Sequence, residues 1–358
     1  GLYVSFDDGE NWEPLQSNLP RAPVYWMVVQ EQFNDLVIAT YGRGFWILDD
    51  LTPIQQMSQT VHDSSAYLFP PRATYRFRPS VTPVTMSDDP SPGQNPPYGA
   101  AITYYLKSAP SGDVKIRIED AKGQTVRTLN GSKNVGLNRV TWNLEGEATT
   151  EVRMRTAPAY AAEIPLGPDK TRNAPGTGRL SILMPPGNYT VKLLGAGQEL
   201  TEPLVVKKDP NSGGTEADIS AQHMMMLELR KDVESGSQMV NQIEFIRSQL
   251  NQLTTTSNTA SDSTSAKSAA DELDKKLIDI EENLVQRKLT GQGQDTVRYP
   301  PKLLSKLNYL ASGLASGDFG PTKQQREVHA LLRQQLGDLR QRLDAVLKDL
   351  PSSIKPNP

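Results

Sequence analysis

The chain changes character at one short turn-rich stretch, and this change limits the folds open to it. Of its 23 Phe, Trp and Tyr residues, 19 precede residue 211, together with 21 of the 27 prolines. The residues that follow are rich in Leu, Gln, Lys, Glu and Ala, which favour helices, whereas aromatic residues favour strands. The junction 209–214 reads Asp-Pro-Asn-Ser-Gly-Gly and is typical of a linker. The sequence therefore predicts a multidomain β + α protein with a β-rich front and a helical back.

The 358 residues divide into three predicted domains. Residues 1–60 hold short strand candidates separated by turns. Residues 66–209 alternate apolar and polar positions and predict an antiparallel β-sandwich, interrupted by a proline-rich loop at 78–99 and an insertion at 146–178. In residues 215–350 apolar positions recur in steps of three and four, which predicts an antiparallel bundle of three long helices and one short helix. The pattern does not decide whether this bundle closes within one chain.

Composition excludes several classes of function. With 38 basic and 41 acidic residues the net charge is -3, which disfavours a nucleic-acid partner. The chain has no cysteine, and its histidines, His62, His223 and His329, are far apart in sequence, so a metal site or a catalytic triad has little material. The longest apolar run, 24–29, is much shorter than the ~20 residues that cross a bilayer. We expect no metal, no cofactor and no transmembrane segment.

The most specific local motif is 5–12, Ser-Phe-Asp-Asp-Gly-Glu-Asn-Trp. It fits the Asp-box pattern of Ser or Thr, any residue, Asp, any residue, Gly, two further residues and an aromatic. Asp7 can accept backbone amide hydrogens across a tight turn, and Gly9 can supply a positive φ. Trp12 is expected to pack under the hairpin. The pattern predicts a structural role for Ser5, Asp7, Gly9 and Trp12.

This motif and the stretch 36–50, LVIATYGRGFWILDD, resemble the last-blade segment of bacterial BNR-repeat, sortilin-like β-propeller proteins that are named glycosyl hydrolases. In those propellers the Asp-box joins the third and fourth strands of a blade. The segments 114–123, 136–142 and 186–191 are similar to the sandwich repeat of flagellar-hook-capping and secretion-tail domains. The resemblance implies propeller-blade strands, then an immunoglobulin-like sandwich, then a helical region, and this chain has the same order.

A propeller needs at least about four blades of four strands, and residues 1–51 offer only about five strands. These strands either belong to a longer protein or form a small extra sheet. The chain begins at Gly1 inside a predicted strand and without an initiator Met, so we expect that the translated protein starts earlier. The resemblance implies that the carboxylates of a propeller glycosidase would lie on blades upstream of Gly1.

The carboxylate doublets of this chain do not predict catalysis. A glycosidase needs two carboxyl groups across a cleft, about 5 to 9.5 Å apart, whereas neighbouring residues on a strand point to opposite faces. We therefore interpret the doublets as turn or surface residues and assign no catalytic residue to them: Asp7–Asp8, Asp49–Asp50, Asp88–Asp89 and Glu281–Glu282.

Two segments offer candidate interaction residues. Arg43 and Trp46 lie in or next to the glycine-flanked turn after a predicted strand, where an arginine is most often a surface or ion-pair residue. His223, Met224 and Met225 stand near the start of a predicted helix, where methionines most simply fill the bundle core and one or two would face a partner.

The sequence predicts a non-catalytic structural or protein-interaction subunit of the bacterial periplasm or cell exterior. It would dock through the sandwich and the helical bundle onto other protein subunits, including the periplasmic face of a membrane complex. The alternative is the C-terminal accessory region of a secreted propeller glycoside hydrolase, with carbohydrate binding only in the presence of the missing propeller. A third hypothesis, peptide binding by a sortilin-like propeller, needs the same missing blades.

Overall fold

The computed structural model describes residues 1–78, 95–195, 197–256 and 263–348. Two compact units interleave along the chain: one is Gly1–Glu145 with Pro185–Pro210, and the other is Gly146–Met184 with Asn211–Pro358. The predicted mixture of β-sheets and a C-terminal helical region is confirmed. Most of the predicted loop 78–99 lies outside the described residues, as do 257–262 and 349–350 of the predicted bundle.

The first 63 residues of the first unit form seven short elements: β1 (Tyr3–Val4), β2 (Glu13–Pro14), β3 (Val24–Gln30), β4 (Asp35–Thr40), β5 (Phe45–Leu48), α1 (Thr52–Gln55) and α2 (Gln59–Asp63). β1 and β2 make a hairpin, and β3, β4 and β5 make an antiparallel sheet in that order. A small core of Leu2, Leu36, Ile38 and Leu51 joins the hairpin to one face of this sheet. That core fixes which face of the sheet is buried.

The rest of the first unit contains two larger sheets. Their strands are β6 (Ala66–Leu68), β7 (Thr74–Arg76), β8 (Ala100–Leu106), β9 (Lys115–Glu119), β10 (Thr125–Asn130), β11 (Gly136–Trp142), β14 (Gly187–Gly195) and β15 (Gln198–Lys208). One sheet has the order β10-β9-β14-β15-β7 and the other β11-β8-β6, and every pairing is antiparallel except the parallel pair β15–β7. In β9, Ile116 and Ile118 are fully buried, as the alternation with the charged residues beside them predicts.

The two larger sheets meet at Trp142 of β11 and Tyr189 of β14, whose ring centroids are 5.2 Å apart in an edge-to-face arrangement. Trp142 is fully buried, and its Nε1 donates a hydrogen bond of 2.8 Å to the carbonyl oxygen of Glu145. Gly99 passes so close that a Cβ atom there would lie 2.0 Å from the Trp142 carbonyl oxygen. Only glycine fits at this position, because its φ is also +130°.

The second unit is built on helices. Its elements are β12 (Arg153–Met154), β13 (Arg172–Asn173), α3 (Glu216–Thr256), α4 (Ser263–Leu284), α5 (Asp295–Arg298), α6 (Leu303–Leu314) and α7 (Lys323–Lys348). α3 contacts α4, α6 and α7 within the chain. The apolar positions at steps of three and four form one buried core, which includes Leu229, Val233, Val240, Ile243, Leu277, Ile280, Leu336 and Leu343.

The stretch Gly146–Met184, which we call the strap, belongs to the helical unit. The sequence predicts that all of it belongs to the sandwich domain 66–209, with residues 146–178 as an insertion and the remainder as a strand. In the structure, Val152, Met154 and Ile182 of the strap lie in the same core as the helices. The physical reason is apolar burial, because the helical core shields these three side chains from water. No helix in the described ranges combines the length and apolarity needed to cross a bilayer.

Candidate functional site

The Asp-box turn lies between β1 and β2. The Asp7 carboxylate accepts hydrogen bonds from the Asn11 backbone amide at 2.8 Å and from Asn11 Nδ2 at 2.6 Å. The Ser5 hydroxyl donates to Asp7 Oδ1 at 2.9 Å and accepts from the Gly9 amide at 2.7 Å. The Asn11 backbone amide, then the Asn11 side chain and Ser5, hold the pKa of Asp7 below its usual range. These contacts all stay within the turn, so we interpret them as structural.

The two other residues of the Asp-box are Gly9 and Trp12. Gly9 has φ +94°, the left-handed backbone that favours glycine. Trp12 donates from Nε1 to the Gly9 carbonyl oxygen at 3.0 Å, but its side chain is 62% exposed. The indole therefore covers the turn while keeping most of its surface in contact with solvent.

Within the part of the chain that the structure describes, no layer covers one face of the sheet β3-β4-β5. Its strand register sets Trp26, Ala39 and Phe45 in one row and Val28, Val37 and Ile47 in the next. We call these six side chains the apolar face. Trp26 is 73% exposed, Phe45 79% and Ile47 61%, whereas Leu36 and Ile38 on the opposite face of the sheet are buried. None of the six carries a charge.

Sequence reasoning missed the apolar face, although the signal was present. A strand with one solvated face alternates apolar and polar residues, whereas residues 24–29 read Val-Tyr-Trp-Met-Val-Val without a polar residue. Such a run predicts a strand that is covered on both faces. In this chain β3 is exposed along nearly its whole length.

Of the predicted interaction residues, Arg43 lies in the turn between β4 and β5, and Trp46 lies in β5. Trp46 lies opposite the apolar face, is half-buried against the small core, and donates from Nε1 to the Arg43 carbonyl oxygen at 2.9 Å. Arg43 is exposed between Gly42 and Gly44, which both have φ +71°. Trp46 therefore stabilises the turn, and Arg43 is the member of the pair that solvent reaches.

The predicted residues on α3 belong to the other unit. Met225 is buried in the helical core, as the simpler reading of the methionines requires, and Met224 is 60% exposed. His223, which follows the buried Gln222 in sequence, is half-buried. Only Met224 of the three presents a largely exposed apolar side chain.

A buried ionic cluster joins α3, α4 and the strap. Arg247 Nη1 donates to Glu244 Oε1 at 2.9 Å and to Glu281 Oε2 at 2.7 Å, and Arg247 Nε donates to Asp274 Oδ1 at 2.8 Å. Both glutamates are fully buried. From the strap, Thr156 donates its amide and its hydroxyl to the Glu244 carboxylate, each at 2.8 Å.

The pKa values of the two glutamates of this cluster are shifted in different directions. Burial, followed by the charge of Glu244, raises the pKa of Glu281 well above its ordinary value. Burial also disfavours the charge on Glu244, but hydrogen bonding from Glu281, the Arg247 charge and Thr156 lower the pKa of Glu244 on balance. The two environments therefore move the pKa values of the two glutamates in opposite directions. The predicted surface position of the doublet Glu281–Glu282 is wrong for Glu281.

The carboxyl groups of both glutamates are shielded from solvent, and of the charged residues of the cluster only Asp274 is partly exposed. We therefore interpret the cluster as a structural link between the strap and the helices. A separate cleft of about 660 Å³ opens beside α6 and α7, a volume within the range of small-molecule sites. Its lining is mostly apolar, with Leu289, Tyr309 and Leu332, and its one charged lining residue is Lys306.

Within the described ranges, no group of three or more His, Asp or Glu side chains could hold a metal ion. No protein-family model matches the chain, and no curated protein matches it at a significant level.

Proposed function

We propose that this chain is a non-catalytic structural and protein-interaction subunit, whose main docking surface is the apolar face of the sheet β3-β4-β5. The observation that carries the proposal is the exposure of Trp26, Phe45 and Ile47 side by side on an uncharged sheet face. The described residues leave this surface in contact with water, whereas the larger sheets bury apolar residues such as Ile102 and Ile116. A partner with an apolar surface of its own removes that contact.

The size of the apolar face agrees with docking. Its exposed side-chain surface is on the order of 500 Å², from the exposed fractions and the area of a large side chain. Patches of that size on a monomer are often functional. Burying it would contribute roughly 12 kcal/mol before association costs are subtracted, and these costs are about 4 to 15 kcal/mol. The face can therefore support a complex when the partner adds further contacts.

The location and the finer fold are part of the same proposal. The resemblance to secreted bacterial propeller and hook-capping proteins supports a periplasmic or extracellular site, and an immunoglobulin-like identity for the two larger sheets. The edge-to-face contact of Trp142 with Tyr189 supports a two-layer arrangement. In this proposal the docking surface precedes the two larger sheets in sequence, and the exposed Met224 of α3 is a secondary contact.

The test replaces Phe45 by a photo-crosslinking amino acid in the native organism. We expect one discrete crosslinked product, which mass spectrometry identifies as another protein subunit. Ile47→Lys should abolish this product, because it places a charge in the middle of the apolar face. Tyr309→Lys is the matched control, since Tyr309 is 83% exposed but belongs to α6. Illumination that gives no product from position 45, with normal protein levels, contradicts the proposal.

The alternative function is that of a C-terminal accessory region in a secreted propeller glycoside hydrolase. It is supported by the Asp-box turn and by the apolar face, which suits a second sheet stacked at about 10 Å. The discriminating measurement is the intact mass and N-terminal sequence of the native polypeptide. Contiguous propeller strands before Gly1, with glycosidase activity that one carboxylate substitution there abolishes, would favour this alternative. Glycosidase activity of the present chain alone would contradict both functions.

A further inference from the structure

β3 is an edge strand with one side unpaired. The sheet order is β3-β4-β5, and no strand of the described ranges pairs with the outer side of β3. Tyr25 is 70% exposed, Trp26 73% and Met27 58%, and the exposure continues to Gln30. A strand in this position offers a row of backbone donors and acceptors to a further strand.

Proteins normally protect such an edge with lysines, prolines, bulges or short strands. β3 has seven residues, none of them charged and none proline. Its one protective feature is an irregularity of register between Val24 and Trp26. The pairing with β4 is regular from Trp26 to Gln30, so that part of the strand keeps the geometry that a further strand requires.

The charges beside β3 are complementary to those of a second copy. Arg21 precedes the uncharged segment and Glu31 follows it, and both are exposed. Antiparallel pairing of two copies brings Arg21 of one chain toward Glu31 of the other, twice in each dimer. Parallel pairing would instead place like charges together. The sequence around β3 therefore favours an antiparallel arrangement with itself.

From these observations we infer that two copies of this chain associate by antiparallel pairing of their β3 strands. A two-fold axis normal to the sheet relates the copies and gives one continuous sheet of six strands. The same axis keeps both apolar faces on one side of that sheet. Pairing at this edge buries the backbone groups of β3 and the flanks of the exposed side chains of Tyr25–Val29, while the rest of these side chains stays on the two faces of the sheet.

The inference goes beyond the proposed function, because the edge of β3 and the apolar face can be changed separately. Met27 pairs with Ile38, so it is on the side of the sheet opposite the apolar face. Ile47 lies on β5, two strands from the edge of β3. Met27→Lys therefore affects the edge, whereas Ile47→Lys affects the apolar face and leaves the edge unchanged.

The test is sedimentation velocity of the purified full chain over a concentration series. We expect a reversible dimer that Met27→Lys converts to a monomer and that Ile47→Lys preserves. Arg21→Glu alone and Glu31→Arg alone should each weaken the dimer about tenfold, because each replaces two attractive pairs by two repulsive ones. The double variant should restore the original affinity. Far-ultraviolet circular dichroism and thermal unfolding verify that each variant is folded.

A wild-type chain that remains monomeric at every concentration overturns the inference. So does a dimer that is lost in Ile47→Lys but kept in Met27→Lys, because the copies would then associate through the apolar face. Single charge variants that leave the affinity unchanged also contradict it. An intact dimer without a crosslinked partner at position 45 would instead refute the proposed function alone.

Discussion

Replacing Glu281 by Gln tests whether the buried glutamate pair holds one proton. Glutamine has the shape of a protonated glutamic acid and can donate to Glu244 in its place. At low pH, where Glu281 is protonated in the folded and the unfolded chain, we expect the free energy of unfolding to change by less than about 1 kcal/mol. Arg247 donates to Glu281 Oε2 at 2.7 Å, and the side-chain oxygen of glutamine can accept this hydrogen bond, while the Arg247 contacts to Glu244 and Asp274 do not involve the changed group.

The unfolding free energies of the wild type and Glu281→Gln should diverge as the pH rises. The folded-state pKa of Glu281 is raised above the unfolded value of 4.5, so its contribution to stability is fully present below the unfolded pKa and is lost as pH rises toward the folded pKa. Within that window the wild type loses about 1.4 kcal/mol per pH unit from this group. Glu281→Gln has no such loss and should become the more stable protein, with a gap that stops growing above the folded pKa.

Glu244→Gln, unlike Glu281→Gln, should destabilise the folded protein. Glu244 supplies the negative charge that accepts the Thr156 amide and contacts Arg247, which is itself 4% exposed. Removing one partner of a buried ion pair costs about 3 to 5 kcal/mol. Asp274 continues to compensate part of the Arg247 charge, so the lower end of that range is expected. The folded pKa of Glu244 is depressed, so its stabilising contribution is present above the unfolded pKa and is lost at acid pH.

The assay is urea unfolding followed by far-ultraviolet circular dichroism, from about pH 4, below the unfolded pKa, to about pH 8. Glu282→Gln is the matched control, because Glu282 is the adjacent residue and its side chain is 50% exposed beside Arg287. Its effect should be small at every pH. Infrared spectroscopy should show a buried carboxylic-acid band that disappears in Glu281→Gln. A difference in unfolding free energy between the wild type and Glu281→Gln that does not change with pH would refute the proton on Glu281.

Two further predictions concern glycines and the Asp-box. Gly236→Ala in α3 should lower the unfolding free energy by about 1 to 3 kcal/mol, because the added Cβ would lie 2.6 Å from Leu304 Cδ2. Gly337→Ala in α7 is the control and should raise the unfolding free energy by about 1 kcal/mol, because its Cβ would have no neighbour within 4 Å. Equal effects of the two substitutions in thermal unfolding would contradict the close packing of α3 on α6. Gly9→Ala should destabilise the β1–β2 hairpin by about 1 to 2 kcal/mol, and Asp7→Ala should accelerate hydrogen exchange of the Asn11 amide; unchanged exchange would contradict the role given to Asp7.

The helical region was predictable because its signal is local and repeated. Leu229, Val233, Val240 and Ile243 follow the steps that place side chains on one face of a helix, and all four are buried. In the same way, the alternation of apolar and charged residues in β9 predicts which face of that strand is buried. In both cases the period of the sequence equals the period of the backbone, so the buried face can be assigned without knowledge of the partner.

The strap and the ionic cluster were not predictable in the same way. Val152, Met154 and Ile182 are isolated apolar residues in a stretch rich in turns, so no period indicates their burial. Glu281 occupies a helix position next to the exposed Glu282, and its partners Arg247 and Glu244 are 34 and 37 residues away. Whether a charged residue is buried depends on such distant partners, which a single sequence does not reveal.

The exposed groups of the sheet β3-β4-β5 lead us to expect that the function of the chain depends on this sheet. In the helical unit even buried charges have partners, as the contacts of Arg247 with Glu244, Glu281 and Asp274 show. In the first unit, the sheet β3-β4-β5 exposes large apolar side chains on one face, and no described strand pairs with the outer edge of β3. A stable fold gains nothing from such exposure, because burying these groups lowers the free energy. A partner that covers them supplies this gain, so we expect the partner contacts of the chain to concentrate on residues 24–47.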